Sequence, residues 1–188
     1  LEISYTKFEN NLGRKSLTKQ WLRCFNDAAT ADWTMFLGDD DVLYPTCIEK
    51  FYESLNEVGE SKVFRFATVK LNENTEKISK IYNHPKLESG LIFLDRFLNN
   101  NTRSSLSEYI FHAEAVKKIG FKNYPLAWYS DIMAVFQFSE NNYICTINNA
   151  LVGVRISNSS ISGQAFYNLK IKAKFQFFYD LLGEERVK

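Results

Sequence analysis

An apolar segment that stops at a run of carboxylates is the feature that most constrains the fold. Residues 33–37 form a short apolar run, and Gly38, Asp39, Asp40 and Asp41 follow it directly. A run of this length predicts a central strand that is covered on both faces, as in parallel sheets. The predicted strand must therefore end at residues 38–41, which we call the acidic turn.

Amphipathic helices flank this predicted strand. Before it, Ser16 can cap a helix whose apolar residues recur at spacings of three and four, and after it Pro45 suits the first position of a second helix. The two apolar faces are formed by Leu17, Trp21, Phe25 and Ala28, and by Ile48, Phe51, Tyr52 and Leu55. A strand between two such helices predicts an α/β fold.

The rest of the chain continues this alternation. Its periodicity predicts a hairpin with strands at residues 62–71 and 77–82, strands at 109–111 and 151–156, and helices at 89–98, 113–119, 130–138 and 164–182. Residues 99–105 are polar and aperiodic, so we predict a mobile surface loop of the kind that often covers a binding site. Neither a repeat nor a linker divides the sequence, and residues 1–188 are predicted to form a single domain.

Charge and composition exclude several classes of partner. Lys and Arg number 23 against 22 Asp and Glu, so no global field attracts nucleic acid or an anionic membrane, and partners must be recognised locally. No run reaches the roughly 20 apolar residues of a membrane span, and no signal peptide opens the sequence. These observations predict a cytoplasmic protein, with peripheral binding at the inner face of the membrane as a further hypothesis.

The potential metal and redox ligands are scattered. Cys24, Cys47 and Cys145 lack the short spacing of zinc or redox sites and are predicted to be reduced core residues. His84 and His112 also show no metal-ligand spacing and are predicted to be structural or exposed.

The acidic turn has two interpretations when its residues are considered alone. Adjacent carboxylates repel one another, and hard oxygen ligands on a tight turn suit Mg²⁺ or Mn²⁺, which in turn can hold a diphosphate. Alternatively, the aspartates form a solvated turn and cap the following helix, where negative charge is favoured. Residue chemistry leaves both interpretations open.

Four segments, in order, give the chain a resemblance to a known family. They are Asn11-Leu12-Gly13 with the apolar run and the acidic turn, Tyr109-Ile110-Phe111 with residues 115–121, Trp128-Tyr129-Ser130-Asp131, and Val154-Arg155 with the serine-rich residues 156–162. The series resembles the catalytic domain of family 2 glycosyltransferases with the GT-A fold. That resemblance implies an α/β protein with a mixed, mostly parallel, Rossmann-like sheet flanked by helices.

The resemblance also implies a donor site. Asp39, Asp40, Asp41 and Arg155 are expected to bind the ribose and diphosphate of a nucleotide-sugar, with Mn²⁺ or Mg²⁺ as the bridging cofactor. Gly38 stands where many members of the family have the first aspartate. The literal Asp-x-Asp pair is then Asp39 with Asp41, which we predict as metal ligands, and the pattern leaves open which of the three carboxylates contacts the metal.

On the acceptor side, Asp131 is the predicted general base. An inverting transfer needs a carboxylate to take the proton of the attacking hydroxyl, although an acid at the start of a helix can also be purely structural. Ser130 replaces the frequent glutamate of the family motif. Trp128 and Tyr129 are predicted to stack on an acceptor sugar, with core packing as the alternative.

One part of the family pattern is missing. Family members begin with a strand and an Asp-Asp-Gly-Ser type turn that holds the nucleotide base, and this sequence contains no such turn. We therefore expect a fragment whose sheet lacks its first strands and which is inactive, or nearly so, when isolated. A homodimer through the exposed sheet edge is a further hypothesis.

Two functional hypotheses follow. The first is an enzyme, an inverting glycosyltransferase that moves a sugar from a nucleotide-diphosphate donor to a glycan or lipid-linked acceptor in cell-surface polysaccharide synthesis, with a UDP-sugar as the favoured donor. The second is a non-catalytic carbohydrate-binding or interaction module in which the acidic turn is structural. They differ in whether metal and nucleotide bind at the acidic turn.

Overall fold

Helices and strands alternate along the chain, as the sequence predicts. The computed structural model describes residues 3–28, 31–58, 60–157 and 165–187. The α-helices in these ranges are α1 (Leu17–Ala28), α2 (Cys47–Glu57), α3 (Gly90–Leu98), α4 (Ala113–Ile119), α5 (Ser130–Phe138) and α6 (Tyr167–Gly183). The strands are β1 (Trp33–Met35), β2 (Val42–Leu43), β3 (Val63–Leu71), β4 (Leu87–Ser89), β5 (Tyr109–His112) and β6 (Tyr143–Arg155). Within the same ranges, no helix is long and apolar enough to cross a membrane.

The strands form a mixed sheet. Their order is β1-β5-β3-β6-β2, and β4 pairs with β6. β3 and β6 run parallel, whereas β1–β5, β3–β5, β2–β6 and β4–β6 are antiparallel pairs. The prediction of a mostly parallel sheet is therefore wrong. An apolar run indicates burial on both faces, but it carries no information about the direction of the neighbouring strand.

Apolar side chains form clusters on the two faces of this sheet. In β5, Tyr109 and Phe111 belong to one cluster and Ile110 belongs to the other. Because successive side chains of a strand point to opposite faces, the two clusters lie on opposite sides of the sheet. Cys47 and Phe51 of α2 cover the face of Ile110, and the other five helices contribute to the opposite cluster. The described chain is thus a mixed α/β structure with helices on both sides of its sheet.

Four predicted helices are confirmed to within one or two residues, namely α1, α3, α4 and α5. The Ser16 hydroxyl accepts a hydrogen bond from the Lys19 backbone N–H (3.3 Å), which confirms the predicted cap of α1. Gly120 ends α4 with φ of 70°, a left-handed conformation that favours glycine.

α2 differs from its prediction in phase. It begins at Cys47 rather than at Pro45, and Cys47 and Phe51 are buried. Ile48 and Tyr52, predicted to face the core, are exposed. Successive residues of an α-helix point about 100° apart around its axis. Burial of the apolar Cys47 in place of its neighbour Ile48 is therefore enough to rotate the buried face.

β1 is not a central strand. It covers Trp33–Met35, pairs with β5, and lies at one end of the strand order with half-buried side chains. The prediction of a central strand over residues 33–37 is therefore wrong as to its position and its length. Among the described strands, β1 has a neighbour on one side only.

Other strand predictions are partly confirmed. The second hairpin strand at residues 77–82 is reduced to isolated bridges, because only Tyr82 and Lys77 pair with β3. β6 contains the predicted residues 151–155 but begins much earlier, at Tyr143. β4 is not among the predicted strands. Polar residues such as Asn148 and Asn149 interrupt the apolar pattern of β6, at the place where its register with β3 shifts.

Further corrections concern exposed residues. Cys24 is exposed, whereas Cys47 and Cys145 are buried as predicted. In α6, the predicted core residues Ala173, Phe177 and Leu181 are buried, but Phe166 and Leu169 are exposed. The predicted start of this helix at residue 164 and the serine-rich residues 158–162 lie outside the described residues.

Candidate functional site

The predicted site residues line two adjoining pockets. The acidic pocket has a volume of about 910 Å³ and is lined by the acidic turn and Arg155. The aromatic pocket has a volume of about 360 Å³ and is lined by Trp128, Tyr129 and Asp131. The residues that line both pockets are Leu17, Trp21, Ser105 and Leu106. The structure therefore brings the predicted donor and acceptor residues into adjoining pockets that share part of their lining.

Within the acidic turn, two carboxylates converge beside Gly38. A methyl group added at Gly38 would lie 3.0 Å from Asp41 Oδ2 and 3.2 Å from Asp40 Oδ1, so both oxygens border space that a side chain would fill. Asp39 is exposed. The carboxylate oxygens nearest to Gly38 are thus those of Asp40 and Asp41, and the metal-ligand roles of Asp39 and Asp41 stay predictions.

Carboxylates of this kind could hold Mg²⁺ or Mn²⁺ only together with other ligands. In the described ranges, no group of three His, Cys, Asp or Glu side chains is placed to hold a metal ion. Mg²⁺ is commonly bound by one or two carboxylates, with substrate phosphates and water completing its coordination. The pair at Gly38 fits that pattern and does not resemble a site formed by protein ligands alone.

Hydrogen bonds from three directions hold the acidic turn. The Asp41 N–H donates to the Gly38 carbonyl across the turn (3.2 Å). The Gly38 N–H donates to the buried Ser107 hydroxyl (3.0 Å), and Asp41 Oδ1 accepts from the Arg155 backbone N–H (2.9 Å). The bond from the Arg155 N–H reaches a carboxylate and compensates part of the charge repulsion before any ligand binds.

Arg155 acts in the structure as a clamp on this turn. Its Nε donates to the Asp40 carbonyl (2.9 Å), and its terminal nitrogens donate to the carbonyls of Asn72 and Glu73 and to the Thr75 hydroxyl. Most of its N–H donors are therefore engaged by the protein. A direct contact between Arg155 and a diphosphate stays a prediction, whereas its contact with the acidic turn is present.

Asp131 lies in the first turn of α5 and is half-buried at the aromatic pocket. Burial raises the pKa of its carboxyl to about 6; backbone N–H groups at residues 131 and 132 oppose this rise, and the charge of Glu108 adds to it. A carboxylate with a pKa near 6 is mostly ionised at neutral pH yet more basic than an ordinary aspartate, which suits a general base.

The segment before Asp131 has an unusual backbone. Leu126, Ala127 and Tyr129 all have positive φ, at 59°, 53° and 70°. For residues other than glycine this conformation costs roughly 1 kcal/mol or more each, and such strain concentrates at functional sites. The sequence offers no glycine or asparagine here that would have indicated the turn.

The two aromatic residues before Asp131 have different environments. The Tyr129 ring stacks on Phe177 of α6, with centroids 4.9 Å apart, and meets the Phe97 edge at 6.0 Å. The Trp128 ring is half-buried, and the Lys170 ammonium lies 4.5 Å from its centroid. Tyr129 therefore packs with the core while also lining the pocket. Sugar stacking by either residue stays a prediction.

Sequence reasoning missed a buried ionic cluster next to the site. Arg65 of β3 is fully buried and pairs with Glu108 (2.7 Å) and Glu88 (3.4 Å). Arg96 pairs with Glu88 (2.6 Å), and Arg103 pairs with Glu108 (3.3 Å). Arg65 within the otherwise apolar residues 63–67 was the available signal, because arginine is almost never fully buried without a partner.

This ionic cluster also anchors the predicted loop at residues 99–105. Arg65 donates to the Thr102 hydroxyl (3.3 Å) and to the Arg103 carbonyl. The Ser105 N–H and hydroxyl both donate to Glu108 Oε2 (3.1 and 3.0 Å). Residues 102–105 are thus held by hydrogen bonds that a mobile loop would lack. Their fixed position shapes the wall shared by the two pockets.

His84 belongs to the same region and is a structural residue, as predicted. It is buried, and its Nδ1 lies 3.1 Å from the Thr102 hydroxyl. Burial and the nearby charges of Arg65, Arg96 and Arg103 lower its pKa to about 3, so this side chain stays neutral at physiological pH.

No protein-family model and no curated protein gives a significant match to this chain.

Removal of Glu108 is expected to be strongly destabilising. Glu108→Ala leaves the buried Arg65 without its shortest ion pair, and breaking a buried pair costs about 3–5 kcal/mol. The matched control is Glu57→Ala, which removes an exposed partner of Lys86 and is expected to cost less than about 1 kcal/mol. Urea unfolding of both variants measures the difference, and equal losses would contradict the role given to the cluster.

Asp131→Asn is expected to stabilise the protein in a pH-dependent way. The pKa of Asp131 is about 6 in the folded protein, above its ordinary value of 3.8. Protonation of Asp131 therefore favours the folded state. This contribution to stability is fully present below pH 3.8 and is lost as the pH rises through 6. The neutral amide should therefore raise the free energy of unfolding by up to about 3 kcal/mol at pH 8 and by much less near pH 4. Urea unfolding at both pH values tests this, and a gain that does not depend on pH would show that the carboxyl has an ordinary pKa.

Proposed function

We propose that this chain carries the metal-binding and acceptor-binding sides of an inverting glycosyltransferase of the family 2, GT-A type. The observation that carries the proposal is the adjoining pair of pockets, one lined by the Asp40 and Asp41 carboxylates beside Gly38 and the other by the Asp131 carboxylate with its raised pKa. An inverting transfer needs these elements, because it requires charge neutralisation at the leaving group and a base at the attacking hydroxyl.

On the donor side, Asp40 and Asp41 would hold Mn²⁺ or Mg²⁺ beside Gly38, and the diphosphate of a nucleotide-sugar would supply further oxygen ligands. The metal ion, when bound, supplies positive charge that stabilises the departing diphosphate. Arg155 fixes the backbone of the acidic turn, so its contribution to this site is to position the carboxylates. A UDP-sugar is the proposed donor class.

On the acceptor side, Asp131 would accept the proton of a hydroxyl on a glycan or lipid-linked acceptor. Its place at the start of α5 holds the carboxylate at the pocket, and Ser104 and Ser105 of the anchored segment line the same pocket. Trp128 offers a half-buried aromatic face in the same pocket. The product would belong to cell-surface polysaccharide synthesis.

The sheet is compatible with a GT-A, Rossmann-like parent fold. β1 leads into the acidic turn, and among the described strands it has a neighbour on one side only. Its other edge is available for the strands that the resemblance expects, or for a second copy of the chain. The homodimer through this edge, the cytoplasmic location and the peripheral membrane location all stay predictions.

Calorimetric titration of UDP, with and without Mn²⁺, tests the donor site directly. UDP should bind in the presence of Mn²⁺ only, and Asp40→Asn or Asp41→Asn should weaken this binding at least about tenfold through loss of a charged metal ligand. Asp39→Asn is the matched control, since it removes the same charge from the same turn and is expected to change the affinity by less than about threefold. The experiment measures UDP binding rather than sugar transfer, because the sequence contains no Asp-Asp-Gly-Ser type turn to hold the nucleotide base.

The same titration separates the competing hypotheses. Loss of binding in Asp39→Asn, with Asp40→Asn unaffected, would restore the literal Asp-x-Asp pair as the metal site. Absence of any Mn²⁺-dependent binding of UDP or of pyrophosphate would contradict the proposed donor site and favour a non-catalytic module whose acidic turn, held by Arg155, is structural.

A further inference from the structure

The outer face of α6 carries a continuous apolar stripe. Its residues are between 53% and 81% exposed, and they are Tyr167, Ile171, Phe175, Tyr179 and Leu182. Their spacings of four, four, four and three place them on one side of the helix. We call this set the α6 stripe.

The opposite face of α6 packs against the core. Ala173, Phe177 and Leu181 are buried there, and Phe177 stacks on Tyr129. The helix is therefore apolar on two faces, one of which no described residue covers. Isolated exposed apolar residues are common, but a contiguous row of large ones marks an interaction site.

Basic residues flank the α6 stripe. Lys172 and Lys174 are exposed, and the helical spacing places one on each side of the stripe. Asp180, the acidic residue within α6, is turned towards the protein. It accepts a hydrogen bond from the Tyr124 hydroxyl (2.9 Å) and pairs with Lys122 (3.4 Å). The charge that α6 presents beside its stripe is thus positive.

We propose that the outer face of α6 binds the surface of an anionic lipid membrane. An aromatic and aliphatic stripe between lysines is the composition of helices that lie in the membrane interface, with apolar side chains at the acyl boundary and ammonium groups at the lipid phosphates. Tyrosine in particular favours the level of the headgroups. The helix lies on the membrane in this arrangement and does not cross it.

A second copy of the chain fits this surface less well. In a two-fold dimer each patch meets itself, so both copies would bring Lys172 and Lys174 to the interface while the stripe itself contains no acidic residue to pair with them. Asp180 cannot supply that partner while it is engaged by Tyr124 and Lys122. Anionic lipid provides the complementary charge that a second copy lacks.

Membrane binding by α6 does not depend on the proposed enzymatic function, but it would affect how such an enzyme meets its acceptor. α6 backs the aromatic pocket through the contacts of Lys170 with Trp128 and of Phe177 with Tyr129. If the proposed function holds, a helix resting on the membrane would place the pocket of Asp131 near the surface from which a lipid-linked acceptor is drawn.

Sedimentation with lipid vesicles tests the inference. The wild-type protein should bind vesicles of phosphatidylcholine mixed with phosphatidylglycerol and should not bind vesicles of phosphatidylcholine alone. Phe175→Ser with Tyr179→Ser should lower binding to the mixed vesicles at least about tenfold. Lys172→Gln with Lys174→Gln should also lower it about tenfold at low salt, and this difference should shrink in high salt.

The matched control is Ile48→Ser with Tyr52→Ser, which removes exposed apolar residues from α2 on the other side of the sheet. This variant should bind the mixed vesicles like the wild type. Failure of the wild type to bind mixed vesicles, or an equal loss in the control, would overturn the inference. Sedimentation equilibrium provides a further test. A wild-type dimer that becomes a monomer in the Phe175→Ser, Tyr179→Ser variant would also overturn the inference, because the α6 stripe would then be an interface between copies.

Discussion

The buried pair between Arg65 and Glu108 is the constraint on which the site depends. Two fully buried charges 2.7 Å apart are tolerable only with further hydrogen bonds, and those bonds come from the segment that leads to β5. Glu108 ends a 3₁₀ turn whose Ser107 binds the backbone of the acidic turn, while Ser105 and Leu106 line both pockets. The buried ion pair of β3 thus holds in place the segment that lines both pockets.

Local patterns predicted the helices better than the sheet. A repeat of three and four residues defines a helix on its own, so α1, α4 and α5 could be placed from the sequence. Strand pairing depends on residues distant in the chain, and β1 next to β5 joins segments almost eighty positions apart. The apolar run at residues 33–37 has the composition of a central strand, yet in the described sheet it lies at one end of the strand order, next to β5.

The candidate site shows the same division between local and distant information. The carboxylates, Asp131 and the aromatic residues beside it could be selected from the sequence because their chemistry is visible in single residues. The clamp formed by Arg155 could not, because its partners at residues 72–75 lie on a turn whose approach depends on the pairing of β3 with β6. The raised pKa of Asp131 is likewise a property of burial and of Glu108, neither of which its sequence neighbours indicate.

Charge repulsion in the acidic turn is a weaker argument for a metal ion than the sequence suggests. Asp41 is compensated by the Arg155 backbone, and the Arg155 side chain binds the carbonyl of Asp40, so the turn has protein partners of its own. The stronger argument is geometric, since the Asp40 and Asp41 oxygens border the space left by the missing side chain of Gly38. A ligand held there would meet both carboxylates, whereas a capped turn needs only one of them near the helix start, so metal-dependent binding that requires both Asp40 and Asp41 is the outcome that separates the two interpretations.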